Sequence, residues 1–420
     1  MKGSNTTKLK KINEKTLLVT VDVSKSKHTG YCRCPDGTDI KPFDFSNNSL
    51  GFDKFWNSIC QMKKTHNLTE VVVGFESTGP YAEPLLHFLL KRNVKLVQVN
   101  PMHTKRVKEL QGNSPSKTDH KDPKVIADII GLGHALTVII PEGTVAELRR
   151  LTQARERSVQ RRTALLTQLQ ALVFLIFPEF SEVMKYMGGK SVRYLLKHHP
   201  TPQDIVDEGI ESLTKTLKRV SRGVLGQKRA EELYEAAKSS VGIKDGRDSI
   251  LIEIKEIIDS IENSSKFIAE VENRMSHHLK KIPYSKSILS LKGVGEVTTA
   301  GLIAEMGDFR QFSTIAEVTK HAGLDLYEIS SGNHKGCRSI SKRGRPLLRK
   351  LLFYVAINAV KKGGIMHEKY QRHLEKGMAK IKALIAISRK LLAIIFALVR
   401  DNRFYVENYS KTTYHLKEAA

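Results

Sequence analysis

The sequence predicts an α/β domain followed by a longer, mainly α-helical part, and three observations carry that prediction. Short apolar, β-branched runs alternate with stretches of helical spacing from about residue 14 to residue 142. A seam of isoleucines repeating by four and three follows between residues 250 and 275. Beyond Pro283 come two helical stretches joined by a glycine turn, a basic loop, and further helical sequence.

The elements can be justified in order. TLLVTVD, residues 16 to 22, is apolar and β-branched, and HTGYCRC and IKPFDF follow after short turns containing Asp and Gly, which predicts a three-strand meander. GFDKFWNSICQMKK has helical spacing, VVVGF (residues 71 to 75) is a continuous apolar strand, YAEPLLHFLLKR is helical, and VKLVQV (residues 94 to 99) is again a strand. Continuous apolar strands separated by helices imply buried parallel pairing with crossovers. The order βββαβαβα is that of an RNase H-like domain, assigned to residues 14 to 142.

Residues 144 to 177 form a long helical run whose heptad is interrupted by Arg155, Ser158 and Arg162, and Pro178 ends it. The second run is cleaner: Ile250, Ile254, Ile257, Ile261, Ser264, Ile268, Val271 and Met275 form a heptad seam with one polar interruption. Packing against the first run in the same chain satisfies this pattern, and so does a coiled coil joining protomers. Between the two, HHPTPQD and KDGRD read as breakers, and residues 180 to 247 give no functional signal. The helical middle spans residues 143 to 282 and the last domain residues 283 to 405. In that domain SILSLKGVGEVTTAGLIAEM reads as a helix-hairpin-helix, whose Gly293 and Gly295 allow backbone N–H groups to approach a phosphate. A GxG turn between packed helices needs no ligand, so this signal is weak by itself. Residues 370 to 400 read as an amphipathic helix pair.

Charge bounds the function. The chain has 420 residues, with 69 Lys plus Arg against 44 Asp plus Glu, a formal net charge of +25. Such a surplus favours a polyanionic partner, above all nucleic acid, over the substrates of an ordinary metabolic enzyme. Arg389 and Lys390 interrupt the best apolar stretch, Ile381 to Val399, so no membrane span is expected. The four cysteines lack CxxC spacing and any zinc-finger partner, which excludes a zinc site and disulfides and fits free thiols in a reducing cytoplasm.

Two constellations carry chemistry. Asp22 ends the first strand and Glu76 ends the first central parallel strand, so in this topology both point into one crevice. Asp119 and Asp122 lie three apart at the start of the domain's last helix. Singly each acid has a local explanation, as a strand end or a helix cap. Jointly, four carboxylates repel unless a cation sits among them, and oxygen-only ligands suit Mg²⁺ or Mn²⁺. The second constellation is a loop with Ser330, Ser331 and Gly332, followed by His334, Lys335, Arg338, Lys342, Arg343, Arg345, Arg349 and Lys350. Cations there would hold backbone phosphates, and an activated serine would be a nucleophile. From composition alone, a serine that merely donates a hydrogen bond to phosphate is the better reading. Trp56 and Tyr81 could stack on bases, although core packing explains them as well.

The motifs VDVSK around Asp22, GFESTG around Glu76, Asn100-Pro101, and KTDHKD around Asp119 and Asp122 resemble the DEDD acidic domain of the insertion-sequence-110 family of transposases. LKGVGEVTTAGLIAEMGDF, HAGLDLYEISSGN and SISKRGRPLLRKLLF resemble that family's C-terminal transposase domain. The resemblance covers about residues 14 to 140 and 286 to 400. It implies a RuvC-like fold in which Asp22, Glu76, Asp119 and Asp122 bind Mg²⁺. It also implies that Ser331, with Ser330 as the adjacent competitor, attacks the DNA backbone to give a 5′-phosphoserine. It implies further a homo-oligomer, dimers assembling to a tetramer in which one protomer's acids meet another's serine, and a noncoding bridge RNA that pairs with donor and target double-stranded DNA. A cytoplasmic, nucleoid-associated enzyme follows. A Mg²⁺-dependent Holliday-junction-type nuclease using water, and an inactive RNA- and DNA-binding relative, are the alternatives. Members usually carry a small residue after the last Asp, whereas Pro123 stands here; it sets the helix start at Asp122 and leaves Asp119 on the preceding loop.

Overall fold

Side chains directed to the two faces of a sheet organise the first third of the chain. In the computed structural model, which describes residues 13–76, 79–92, 94–111, 122–138, 140–328, 330–331, 334–336 and 338–407, β1 (Thr16–Asp22), β2 (Lys27–Arg33) and β3 (Asp39–Ser46) form the expected meander. Helix α1 (Ser49–Thr65) starts where the Asn48 side chain accepts from the Gly51 N–H at 2.8 Å. Then come β4 (Glu70–Glu76), α2 (Glu83–Leu90), β5 (Lys95–Val99), α3 (Pro101–Gln111), α4 (Asp122–Gly131) and β6 (Leu136–Thr137).

The strands form one sheet in the order β3-β2-β1-β4-β5-β6. The meander is antiparallel, β1–β4 and β4–β5 are parallel, and β6 runs antiparallel to β5. Leu17, Val19 and Val21 of β1, with Val71, Val73 and Phe75 of β4, pack on one face against Phe52, Phe55 and Ile59 of α1 and Leu85, Leu86 and Leu89 of α2. Leu18 and Val72 point to the other face, against Val125, Ile126, Ile129 and Ile130 of α4. Strand limits match the sequence expectation within a residue, while α3 and the two-residue β6 are additions to it.

The chain divides into two compact units, Met1–Ile140 with Arg310–His321, and Pro141–Phe309 with Ala322–Ala420. The second is helical apart from short hairpin strands. Helix α5 (Gly143–Ile176) is followed by α6 (Phe180–Val183), α7 (Lys190–His198), α8 (Pro202–Ser221), α9 (Gln227–Lys238) and α10 (Arg247–Leu279). Arg155 Nε meets Glu272 at 2.7 Å and Gln168 meets Glu253 at 2.6 Å, so α5 and α10 run antiparallel. The heptad seam is therefore buried within the same chain: Ile254, Ile257, Ile261, Ile268, Val271 and Met275 are all covered. Arg155, a polar break in the first run, finds its partner on the opposite helix.

HHPTPQD starts a helix instead of interrupting one. Thr201 caps α8 by accepting from the Asp204 N–H, the Asp204 carboxylate accepts from the Thr201 N–H in return, and Pro202 takes the first turn. Helices α6 to α9 close a core with the ends of α5 and α10, around Phe177, Phe180, Leu195, Leu213 and Leu233.

The remainder of the chain comprises α11 (Ser285–Leu289), α12 (Glu296–Met306), α13 (Ile315–Ala322, which up to His321 belongs to the first unit), β7 (Leu326–Tyr327), β8 (Ser330–Ser331), β9 (His334–Lys335), β10 (Ser339–Ile340), α14 (Pro346–Ala359), α15 (His367–Glu375) and α16 (Lys380–Arg400). Helix α12 is buried from Thr299 to Met306 and packs against α5, α10 and α14, at the centre of the second unit. Among the described residues, no helix is long and apolar enough to cross a membrane.

Candidate acidic site and basic loop

Register fixes the first two acids. In the parallel β1–β4 ladder Val21 pairs with Phe75, and the next positions along are Asp22 and Glu76. Side chains alternate along a strand, so Asp22 shares a face with Leu18 and Thr20, and Glu76 with Val72 and Gly74. That is the face covered by α4. Both acids are half-buried and both have polar partners.

Helix α4 is seated on this face by two close approaches. The Thr20 hydroxyl donates to the Pro123 carbonyl at 2.6 Å in a buried bond, which brings the start of α4 over β1 two residues before Asp22. At Gly74 an added Cβ would lie 2.2 Å from Ile130 Cδ1, so only glycine lets α4 settle on β4 here. From the outside, Arg33 pairs with Asp39 and with Asp128 of α4, and Lys124 of α4 pairs with Asp39 at 2.9 Å. Asp122 begins the helix, as Pro123 predicts, and Lys108 of α3 meets its carboxylate at 2.6 Å with Asp122 only 13% exposed. Asp119 lies outside the described residues.

Carboxylates gathered on one sheet face are oxygen donors of the kind that suit a hard divalent cation, and Asp122 already holds a cation in the Lys108 ammonium. Among the described residues no three His, Cys, Asp or Glu side chains form a group that could hold a metal ion.

The serine loop is a hairpin. Strands β8 and β9 pair antiparallel, with Ser330 opposite Lys335 and Ser331 opposite His334; Gly332 and Asn333, which join them, lie outside the described residues. Beside it β7 pairs with β10. The structure separates the cations of the basic run into two groups. Lys342, in a left-handed conformation at φ 55°, and Arg343 are exposed. Arg345 reaches buried Glu305 at 3.4 Å, Arg349 donates to the Ala322 carbonyl at 3.0 Å, and Lys350 pairs with Glu156. Burial lowers Arg349 below the ordinary guanidinium value, although it stays a cation at any working pH. Arg338 is exposed and bonded to Glu328 at 2.6 Å, which raises it.

At the glycine turn, Gly293 has φ 93° and Gly295 precedes α12 with open space where a Cβ would be. Glu296 occupies the first turn of α12 and accepts from Ser276, which adds a carboxylate beside those N–H groups. Trp56 is packed at the sheet core with Arg92 stacked 5.6 Å from its ring, whereas Tyr81 is 45% exposed.

Sequence reasoning passed over Lys108, Thr20 and Gly74. Gly74 carried a readable signal, since an isolated glycine inside VVVGF marks a close approach. Lys108 carried none, because nothing local links it to an acid fourteen residues on.

A sheet that aligns two acids under a helix and a helical unit with a basic run agree with the nucleic-acid partner that the charge suggests, and comparison with known proteins supplies the family. A family model described as a transposase, of the DEDD IS110 type, matches residues 19–178, and one described as the transposase IS116/IS110/IS902 family matches residues 285–371. The chain is 22% identical to an uncharacterized 43.6 kDa protein of insertion element IS110 from Streptomyces coelicolor, over 92% of this chain and 94% of that protein. It is 25% identical to a putative mini-circle transposase for IS117 from the same organism, over 86% and 88%. A pilin gene-inverting protein of Moraxella lacunata is 31% identical over 34% of this chain and 47% of its own length. The chain belongs to the IS110 family of transposases. Membership carries DNA transposition, hence a DNA partner and the cutting and rejoining of DNA, and it points to dependence on a divalent cation.

Proposed function

We propose that this transposase cuts and rejoins double-stranded DNA by serine attack, on an RNase H-like, RuvC-like scaffold spanning residues 14–142. The observation that carries the reading is the alignment of Asp22 and Glu76 at adjacent ends of parallel strands, on the face where Thr20 anchors the start of α4 and with it Asp122. Asp22, Glu76, Asp119 and Asp122 would hold Mg²⁺, with Mn²⁺ an equivalent by donor chemistry. Bound there, the ion stabilises charge on the phosphate oxygens.

Ser331 is the nucleophile. Its Oγ forms a bond to phosphorus, the bond from phosphorus to the 3′-oxygen breaks, and the proton lost by the hydroxyl is matched by the one the leaving 3′-hydroxyl gains. Rejoining is the reverse with another 3′-hydroxyl. Lys335, Arg338, Lys342 and Arg343 hold backbone phosphates around the hairpin, Arg345, Arg349 and Lys350 fix the helix behind it, and the Gly293 and Gly295 turn is a further phosphate contact. A noncoding bridge RNA reads donor and target by pairing while the protein reads shape and phosphate. Dimers assemble to a tetramer, in which the acids of one protomer serve the serine of another in the 283–405 domain.

The test incubates the protein with Mg²⁺, a labelled duplex bearing its element's end junction, and RNA transcribed from the flanking noncoding DNA. A denaturant-resistant protein–DNA adduct is expected from wild type and from Ser330→Ala. Ser331→Ala and Glu76→Gln should reduce it by at least about 10³-fold. An adduct that survives Ser331→Ala sinks the nucleophile; cut ends with no adduct from any variant indicate attack by water.

A further inference from the structure

Behind the acid-bearing face lies a buried histidine that the reading above does not use. His28 stands on β2 beside Thr29, the residue opposite Asp22 in the β1–β2 ladder, so its ring points to the other face of the sheet. It is fully buried there, edge-on to Phe45 and stacked on Phe52. An apolar ring would fill this place, and burying an imidazole is unfavourable unless its nitrogens are bonded.

Both nitrogens have an assignment. Nδ1 accepts from the Ser24 N–H at 3.2 Å, so the proton of the neutral ring belongs on Nε2. Burial lowers His28 below the ordinary imidazole value, which keeps the ring neutral at pH 7, and the Asn47 side chain opposes that fall. Nε2 and Asn47 Oδ1 are both buried and neither has another partner, so this donor and this acceptor serve each other. From its other end Asn47 donates through Nδ2 to the Lys25 carbonyl at 3.1 Å and to the Tyr81 carbonyl at 3.4 Å, and its N–H donates to the Ser26 carbonyl at 2.9 Å. Lys25 and Ser26 belong to the turn after Asp22, and Tyr81 to the single turn Pro80–Ala82 after Glu76.

We infer that His28 and Asn47 are positioning residues that set the spacing of Asp22 and Glu76 for a divalent cation. The paired residues of the β1–β4 ladder end at Val21 and Phe75, one short of both acids, and Asn47 is a cross-tie beyond that point. His28 steadies the same tie and bonds Ser24, two residues past Asp22. Mg²⁺ demands near-ideal geometry from its oxygen ligands, so a loosened turn weakens the ion without removing a ligand. The inference rests on the reading that these acids hold the ion.

Electron paramagnetic resonance of unbound Mn²⁺, titrated against the full DNA-free chain, counts sites and gives their Kd, and hydrogen exchange of the metal-free chain reads the Ser24 N–H. His28→Phe fills the apolar space and removes both ring bonds, whereas His28→Asn keeps an acceptor for Ser24. Asn47→Ala and His28→Phe should each raise the Mn²⁺ Kd about tenfold, the low end of what partners of metal ligands are worth, and His28→Asn should raise it less than about threefold. Exchange at Ser24 should be about tenfold faster in His28→Phe and close to wild type in His28→Asn. A residue with only a structural role would lower the number of sites and leave their Kd alone. An unchanged Kd in both Asn47→Ala and His28→Phe, while Asp22→Asn and Glu76→Gln abolish binding, overturns the inference and spares the acids. Binding that survives Asp22→Asn and Glu76→Gln sinks the acidic site itself, and the inference falls with it.

Discussion

The candidate acids and the candidate phosphate-binding cations are held by different means. Asp22 and Glu76 are set by strand register and by the seating of α4, through a glycine on β4 and a threonine on β1. The basic run has only two-residue strand pairs and isolated backbone bonds, such as Lys342 N–H to the Gly323 carbonyl at 3.0 Å, and side chains anchor the rest, Arg345 on Glu305 and Arg349 on the Ala322 carbonyl, while Lys342 and Arg343 stay exposed. A site built on a sheet fails when its covering helix is displaced. A site built on a loop fails when an anchor is lost.

The largest effect should come from the sheet. Gly74→Val places a branched side chain where even a Cβ would stand 2.2 Å from Ile130 Cδ1, and Ile130 is itself 1% exposed. Overpacking of this kind costs typically 1–3 kcal/mol, and about 3 kcal/mol is expected here because α4 must lift. Chemical denaturation followed by circular dichroism should show an early transition for the first unit. Loss of strand cutting should exceed what that instability explains, since Asp122 moves with the helix. Wild-type stability in this variant would break the comparison, because α4 would not depend on its seat.

The loop should respond less and more selectively. Arg345→Met takes a partner from Glu305, which is 4% exposed, and should cost about 1–3 kcal/mol. Arg343→Met, at an exposed cation a short distance along the same run, should change stability by less than about 0.5 kcal/mol. Equal Tm shifts for the two would mean that anchors and exposed cations are not distinct classes.

The same contrast governs what the sequence could reveal. Strands β1 to β5 are runs of five to eight residues rich in apolar and β-branched side chains and bounded by turns, and α10 repeats a heptad over about seven turns, so both were legible from pattern alone. Asp22 and Glu76 were legible as strand ends. The division of Arg345 and Arg349 from Lys342 and Arg343 was not, because partners such as Glu305 and Ala322 lie outside any local repeat. Short elements were missed for the same reason: β6, β8 and β9 have two residues each, too few for a period to show. Helix α8 was missed for another cause. Its TPQD start holds both Pro and Asp, which signal a break when counted singly and a helix N-terminus when read at their spacing.

The smallest effect sharpens the comparison from the solvent side of α4. A hydrogen bond from Arg33, ahead of those from Tyr31 and Lys124, holds the Asp39 carboxyl well below the ordinary carboxylate range. With the folded value depressed, the unfolded chain binds more protons, so this contribution is complete above about pH 4 and is lost as pH falls through the folded value. Asp39 is 32% exposed, and solvent screening limits the contribution to less than about 1 kcal/mol. Asp39→Asn should therefore lower Tm slightly at pH 7, and the gap to wild type should narrow as pH is taken from about 4 down towards 2. A gap that persists would show that Arg33 and Lys124 serve α4 without Asp39, Arg33 through its bond to Asp128 at 2.7 Å. A gap that narrows would show that the sheet unit, like the basic loop, draws on a charged anchor at this network.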